Sequence, residues 1–194
     1  MEEAKISAVG QRYLKLIELD TNEKVVCELR KHPFGLFLVY SIGFIVSLAL
    51  VLATIFSALL FRNDPLELGG GGQSTVVVAI TVVGMILTFL SLVMTAIGAF
   101  LYKSNVVFVT TDKVAQVLYT SIFNRKVSQL VLGDVQDITV EQKGPFARIF
   151  NFGTLVIETA GEQNNYVFTY APNPYICSKI ISAAHEQNIA RFGN

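Results

Sequence analysis

Two stretches of the chain carry no Asp, Glu, Lys or Arg: Pro33–Phe61 and residues 75–102. Each exceeds the roughly 20 apolar residues that cross the hydrocarbon of a bilayer. A buried helix in a soluble core is the competing explanation of such a run, but two of them, this long and this free of charge, exceed what such a core accommodates. A cleavable signal peptide has a basic start and an apolar region of about 7–15 residues. Here the first run begins only at Pro33, behind a charged, mixed segment, so the pattern predicts retained transmembrane helices. They are joined by RNDPLELGGGGQS, residues 62–74, a polar segment with Pro65 and four successive glycines that is too short to fold alone. An antiparallel hairpin follows, with both chain ends on one side of the membrane.

Past Lys103 the period changes. NVVFVTT and KVAQVLYT read as strands separated by a turn at Asp112, SIFN connects to RKVSQLVL, and DVQDITVEQ, GTLVIETAG and NYVFTYAP supply three more, bounded by Gly133, Gly153, Gly161 and Pro172. Short connections make the sheet mostly antiparallel. NPYICSKIISAAHEQNIARF opens with Asn173 at the N-cap and Pro174 at the first helical position, and Ile176, Cys177, Ile180, Ile181 and Ala184 fall on one stripe. Ahead of the hairpin, RYLKLIELDTNEKVVCELRKH predicts a short helix and a strand-like segment that packs on the β domain, with a partner-binding tail as the alternative. The expected divisions are an N-terminal segment 1–32, helices at 33–61 and 75–102, the connection 62–74 and a β domain 103–194.

Composition sharpens this picture. Charged residues make up 15% of the chain, against about 25% in soluble domains, and the 15 basic and 15 acidic residues all lie outside the two runs. Lys24, Arg30 and Lys31 precede the first run and Lys103 and Lys113 follow the second, whereas the connection offers only Arg62, a bias that places both ends in the cytoplasm. No ionisable residue lies inside either run, which argues against a proton relay or voltage sensor. Ala49, Ala53 and Ser57 on one helix, and Ser91, Thr95 and Ala99 on the other, recur at the spacing that lets helices approach closely in lipid. With basic and acidic residues balanced, nucleic-acid binding has no electrostatic footprint. Cys27 and Cys177 form no CxxC and read as reduced, packed thiols.

VFVTTDKV (107–114), LVLGDVQDI (130–138), FGTLVIETAG (152–161) and APNPY (171–175), with EKVVCELRKHP ahead of two apolar helices, resemble the membrane-flanked bacterial PH-like (pleckstrin-homology-like) domain family. The resemblance covers nearly the whole chain. It implies an α+β membrane protein in which a two-helix transmembrane hairpin is followed by a PH-like split β-barrel capped by a C-terminal α-helix, in the bacterial inner membrane. It implies no ligand and no catalytic signature.

Candidate chemistry is sparse. GGGGQS lacks the Lys of a phosphate loop and follows no strand. His32 sits beside Arg30 and Lys31 at the start of the first run, and His185 near the end of the last helix, where a cation suits the dipole. Asp134 and Asp137 lack the run of oxygen ligands that calcium needs. No cofactor, metal or catalytic residue is expected. Phosphate recognition would need converging cations; Lys113, Arg125 and Lys126 are the weak candidates, with Asp112 beside the first. Between two strands, KGPFARIFNFG interleaves Phe146, Phe150 and Phe152 with Arg148, and Phe146 and Phe150 would share the face of a helical turn. That segment reads either as a hydrophobic plug closing one end of the barrel or as a surface that meets headgroups or a partner protein. The functional expectation is a non-catalytic interaction or scaffolding module at the membrane. An accessory subunit of a transporter or envelope-stress complex, and a lipid-headgroup sensor, are its rivals.

Overall fold

VVCELR forms a strand that finds its partner across both long helices. In order, the elements are α1 (Ala8–Leu14), β1 (Val25–Arg30), α2 (Pro33–Asn63), α3 (Gly72–Ser104), β2 (Val106–Thr110), β3 (Lys113–Tyr119), β4 (Arg125–Val131), a 3-10 turn (Leu132–Asp134), β5 (Val135–Glu141), α4 (Pro145–Ile149), β6 (Phe152–Thr159), β7 (Tyr166–Pro172) and α5 (Pro174–Phe192). This computed structural model describes residues 6–17, 19–20, 23–63, 72–159 and 165–192. The expected glycine-rich connection and the boundary at Gly161 fall largely or wholly outside them.

The chain forms two compact units, one of Met1–Leu36 with Leu101–Asn194, the other Phe37–Phe100. In the first, β1 to β4 make one antiparallel sheet in sequence order and β5 to β7 another. The two sheets share no ladder, so the split β-barrel implied by the resemblance is not closed. At one corner the 3-10 turn carries the chain from sheet to sheet; at the other His32 N–H donates to the Tyr170 carbonyl at 2.7 Å. The six strands expected after the hairpin are β2 to β7, and the strand-like segment ahead of it makes a seventh, because β1 pairs with β2 through Cys27↔Val109, Leu29↔Val107 and Arg30↔Val106.

That pairing explains the unbroken apolar run of β2, buried at every position. Val107 and Val109 face the core between the sheets, with Leu29, Leu132, Leu155, Phe168 and Ile181. Val106 and Phe108 face the other way, into a second layer with Ile17, Val25 and Ala115 on which Tyr13 and Leu14 pack. A strand covered on both faces has no polar alternation to show. The N-terminal segment supplies this cover: Ser7 Oγ caps α1 by accepting from Gly10 N–H at 3.0 Å, and Ser7 N–H and Oγ–H donate to Glu28 on β1 at 2.7 and 2.6 Å.

On α5 the buried stripe is Pro174, Cys177, Ile181, Ala184 and Asn188. Ile176, expected on it, is exposed. Asn173 does stand at the N-cap position, at φ 44, but its carbonyl receives the Ile176 and Cys177 N–H groups while its side chain accepts from Asn151 Nδ2 at 2.7 Å.

The second unit is the helix pair. Pro33–Phe61 and Thr75–Ser104 have mean hydropathies of 2.7 and 2.8, and little of either is buried. Both are long and apolar enough to cross a membrane. They meet along alternating spacings of three and four: Gly43, Ser47, Leu50 and Thr54 on α2, and Thr81, Gly84, Thr88, Ser91 and Thr95 on α3, are less exposed positions. Gly43 opposes Thr95, Ser47 Oγ lies 3.1 Å from Ser91 Oγ, and Gly84 opposes Thr54. The stripe expected on α2 is thus displaced: Ala49 and Ala53 point outward, because the closer approach is made by glycine. On α3, Ser91, Thr95 and Ala99 do lie on the less exposed side. Thr54, Thr81, Thr88 and Thr95 each donate to the carbonyl four residues earlier, so none leaves a polar hydrogen unsatisfied in an apolar setting.

Candidate functional site

Because Arg30 pairs with Val106, β1 ends and β2 begins at the same end of the first sheet, and there the chain passes into α2 and returns from α3. This junction end is crowded with aromatic rings. Phe34, in the first turn of α2, stacks on Phe146, Phe150 and Phe152 with centroids 5.7, 5.0 and 4.9 Å away. Phe152 continues the stack to His32 at 5.3 Å and Tyr170 at 5.4 Å, and Tyr170 meets Tyr102 edge-on at 5.9 Å. Each such pair contributes about 0.5–1.5 kcal/mol beyond burial. Tyr170 is held at φ 58, an unfavourable backbone conformation for a side chain of this size, while its carbonyl bonds His32.

Local sequence explains the placement. Gly144 at φ 90 and Pro145 at the first helical position start α4 abruptly, and five residues give a single turn. Its Ala147 is buried, which sends Phe146 and Phe150 toward Phe34 while Arg148 and Ile149 face out, Ile149 with 72% exposure. Phe146 and Phe150 also keep about half their surface open. Phe152, the fourth expected contact, is only 9% exposed and belongs to the layer beneath. Phe152 is thus packed inward, while Phe146 and Phe150 stay half open.

Cations rim the same end. A cavity of about 460 Å³ is lined by Arg30, Lys31, His32, Tyr102 and Lys103, with Glu28 the one carboxylate, itself engaged by Ser7. Lys31 Nζ lies 5.3 Å from the Tyr102 ring centroid and donates to Thr169 Oγ1 at 3.2 Å, and burial lowers its pKa. Tyr102 O–H donates to the His32 carbonyl at 2.6 Å. The cations expected from sequence lie elsewhere. Lys113 stands at one end of β3, bound to the fully buried Glu23 carboxylate at 3.1 Å. Arg125 and Lys126 pair with Tyr119 and Leu118 at the other end, about 20 Å along the strand. The three do not converge. The sequence reading missed Phe34 and Ile149 as contacts, since an aromatic at the head of a long apolar run carries no signal of its own.

For metals, Asp20, Glu23 and Asp112 bring carboxylate oxygens within 4.8 Å of one another, but the Lys113 ammonium already supplies counter-charge at Glu23. Asp137 is occupied by Ile138 N–H and Thr139 Oγ1, at 2.8 and 3.0 Å. His185 Nδ1 lies 2.6 Å from the Leu132 carbonyl, a structural tie between α5 and the 3-10 turn. Burial pushes the Cys177 thiol up to about 11, where it stays protonated.

His32 is the titratable group at the junction. Its Nδ1 accepts the Phe34 N–H at 3.1 Å, which requires the neutral ring, and burial lowers its pKa. Above the unfolded value of about 6.5 both states are neutral; below it the unfolded chain binds the proton first, so stability falls as pH drops toward the folded pKa. The full chain in detergent should lose thermal stability between about pH 7 and about pH 5. His32→Asn keeps a capping side chain and should flatten that part of the profile; an unchanged slope would assign it to other groups.

A family model described as Bacterial PH domain matches residues 33–179, both long helices included. No curated protein matches. Among solved structures, a DUF1696 family protein with a pleckstrin-homology domain from Shewanella loihica PV-4 is similar at 12% identity and a TM-score of 0.35, over 42% of this chain and 70% of that one.

Proposed function

We propose, since the chain belongs to the bacterial PH domain family, that it is an integral membrane protein whose PH-like domain is a non-catalytic interaction module held at the bilayer surface. The two apolar helices cross the membrane as a hairpin, and the Lys/Arg bias of the flanks puts both ends in the cytoplasm. The observation that carries the reading is the outward face of α4: Phe146, Ile149 and Phe150 stay exposed beside Phe34, the second residue of the first apolar helix. Apolar side chains kept open on a packed element mark a contact face. Arg148 on the same turn adds the cation common at the centre of protein contacts. PH domains are in general interaction modules, and no catalytic family matches the chain.

Photocrosslinking probes at Phe146, Arg148 and Phe150, used in native membranes with adducts identified by mass spectrometry, test this. A defined protein adduct from all three supports the interaction module. Adducts to lipid alone would make α4 a membrane anchor and overturn the protein-contact reading.

A further inference from the structure

A second apolar feature stands at the junction end, on a different hairpin. Between β3 and β4 the chain reads TSIFN, and its turn is closed by polar groups alone: Thr120 N–H donates to the Asn124 carbonyl at 3.1 Å, and Asn124 N–H to Ser121 Oγ at 3.0 Å. Ser and Asn are ordinary turn residues; Ile and Phe at an apex are not. Phe123 is 96% exposed and Ile122 beside it is half open, so the fold gains almost no burial from the phenylalanine. Register fixes where they point. Val117 pairs with Val106, which also pairs with Arg30, and Tyr119 N–H donates to Asn105 Oδ1 at 2.7 Å, one residue after the end of α3. The apex therefore extends beyond Tyr119 from the edge of the sheet where the chain passes into α2 and back from α3. Arg125 and Lys126 follow it, both exposed, and no Asp or Glu occurs between Asp112 and Asp134.

We infer that the β3–β4 turn is a lipid-contact wedge: Ile122 and Phe123 enter the headgroup–acyl boundary of the membrane that the hairpin crosses, and Arg125 and Lys126 engage the phosphates of anionic headgroups. This rests on the reading of the two helices as membrane-spanning. An apolar tip followed by cations, with no carboxylate near it in sequence, matches an anionic bilayer surface in both polarity and charge.

The chain contains no Trp, so Phe123→Trp yields a single-tryptophan protein whose emission reports this position alone. The full chain is reconstituted in phosphatidylcholine–phosphatidylglycerol vesicles carrying lipids brominated either near the headgroup or deep in the acyl chain. The expected result is blue-shifted emission that loses roughly half its intensity to the shallow bromines and little to the deep ones. Arg125→Gln with Lys126→Gln, or high salt, should reduce that quenching. Phe89→Trp, on an exposed position of α3, is the companion. If Phe89→Trp is quenched by deep bromines while Phe123→Trp emits as a hydrated indole, the wedge is overturned and the spanning hairpin stands. Blue-shifted but unquenched emission from Phe123→Trp would mean a protein occupant, and also overturns it. Absence of quenching at Phe89→Trp would overturn the spanning reading and the wedge with it.

Discussion

Replacing Phe108 by Ala should cost about 3–5 kcal/mol of stability, the range for deleting a large aromatic from a packed interior. Phe108 is fully buried in β2, on the face turned away from the inter-sheet core, and Val106, Ala115, Ile17 and Val25 are buried in the same layer. Its loss empties the layer that holds α1 against the first sheet. Two measurements read the effect on the full chain in detergent. The denaturation midpoint should fall, and trypsin should cut sooner at Arg12 and Lys15, which sit on and just after α1 and are exposed. A change below about 1 kcal/mol, with tryptic cleavage unaltered, would mean that the outer layer carries little of the packing.

The second large effect is expected in the hairpin. A Cβ at Gly43 would run into Thr95, and one at Gly84 into Thr54, in each case against the branched carbon and not merely a flexible end. Gly43→Val or Gly84→Val should therefore push the helices apart at about 1–3 kcal/mol each, the cost of overpacking a close contact. Thr95→Ala, which removes the two γ atoms that crowd closest, should partly rescue the first, and Thr54→Ala the second. That coupling separates a packing effect from a change in helix propensity. In a chain with Cys27 and Cys177 replaced by Ala, Ser47→Cys with Ser91→Cys reports the register directly, since the native hydroxyls are 3.1 Å apart. Oxidative crosslinking of that pair should drop in the glycine variants and return in the rescued ones. Equal crosslinking throughout would place the helix contact elsewhere.

These two sites show opposite ways in which function and packing are divided along the chain. The polar and small residues of the hairpin face each other, leaving its apolar side chains outward, while in the β domain most apolar side chains turn in and only a few remain exposed. The exceptions at α4 and at the β3–β4 turn both lie toward the junction.

Much of this was legible in the residue pattern, because it depends on local period and length. Twenty or more residues without charge need no partner to be recognised as long apolar helices, and the strands from 106 to 172 announce themselves by β-branched runs between turn residues. The start of α5 follows from Asn173 and Pro174 alone, and Phe146 and Phe150 share a face simply by being four apart. The sequence also sets the charge balance and the absence of acid around the β3–β4 turn.

What depends on distant pairing was decided only by the tertiary structure. Val25–Arg30 becomes an edge strand by pairing with β2 beyond both long helices, and no local period encodes that partner. Phe152 and Phe150 are equivalent in sequence, yet one lies beneath the stack and the other at its surface, because the end of α4 and the start of β6 reverse the direction of the side chain. Which small residues of α2 meet α3 was settled by the helix rotation that brings Gly43 onto Thr95, and Lys113 was separated from Arg125 by the length of a strand. In each case the sequence states what a residue is able to bury, and the fold determines what is there to bury it against.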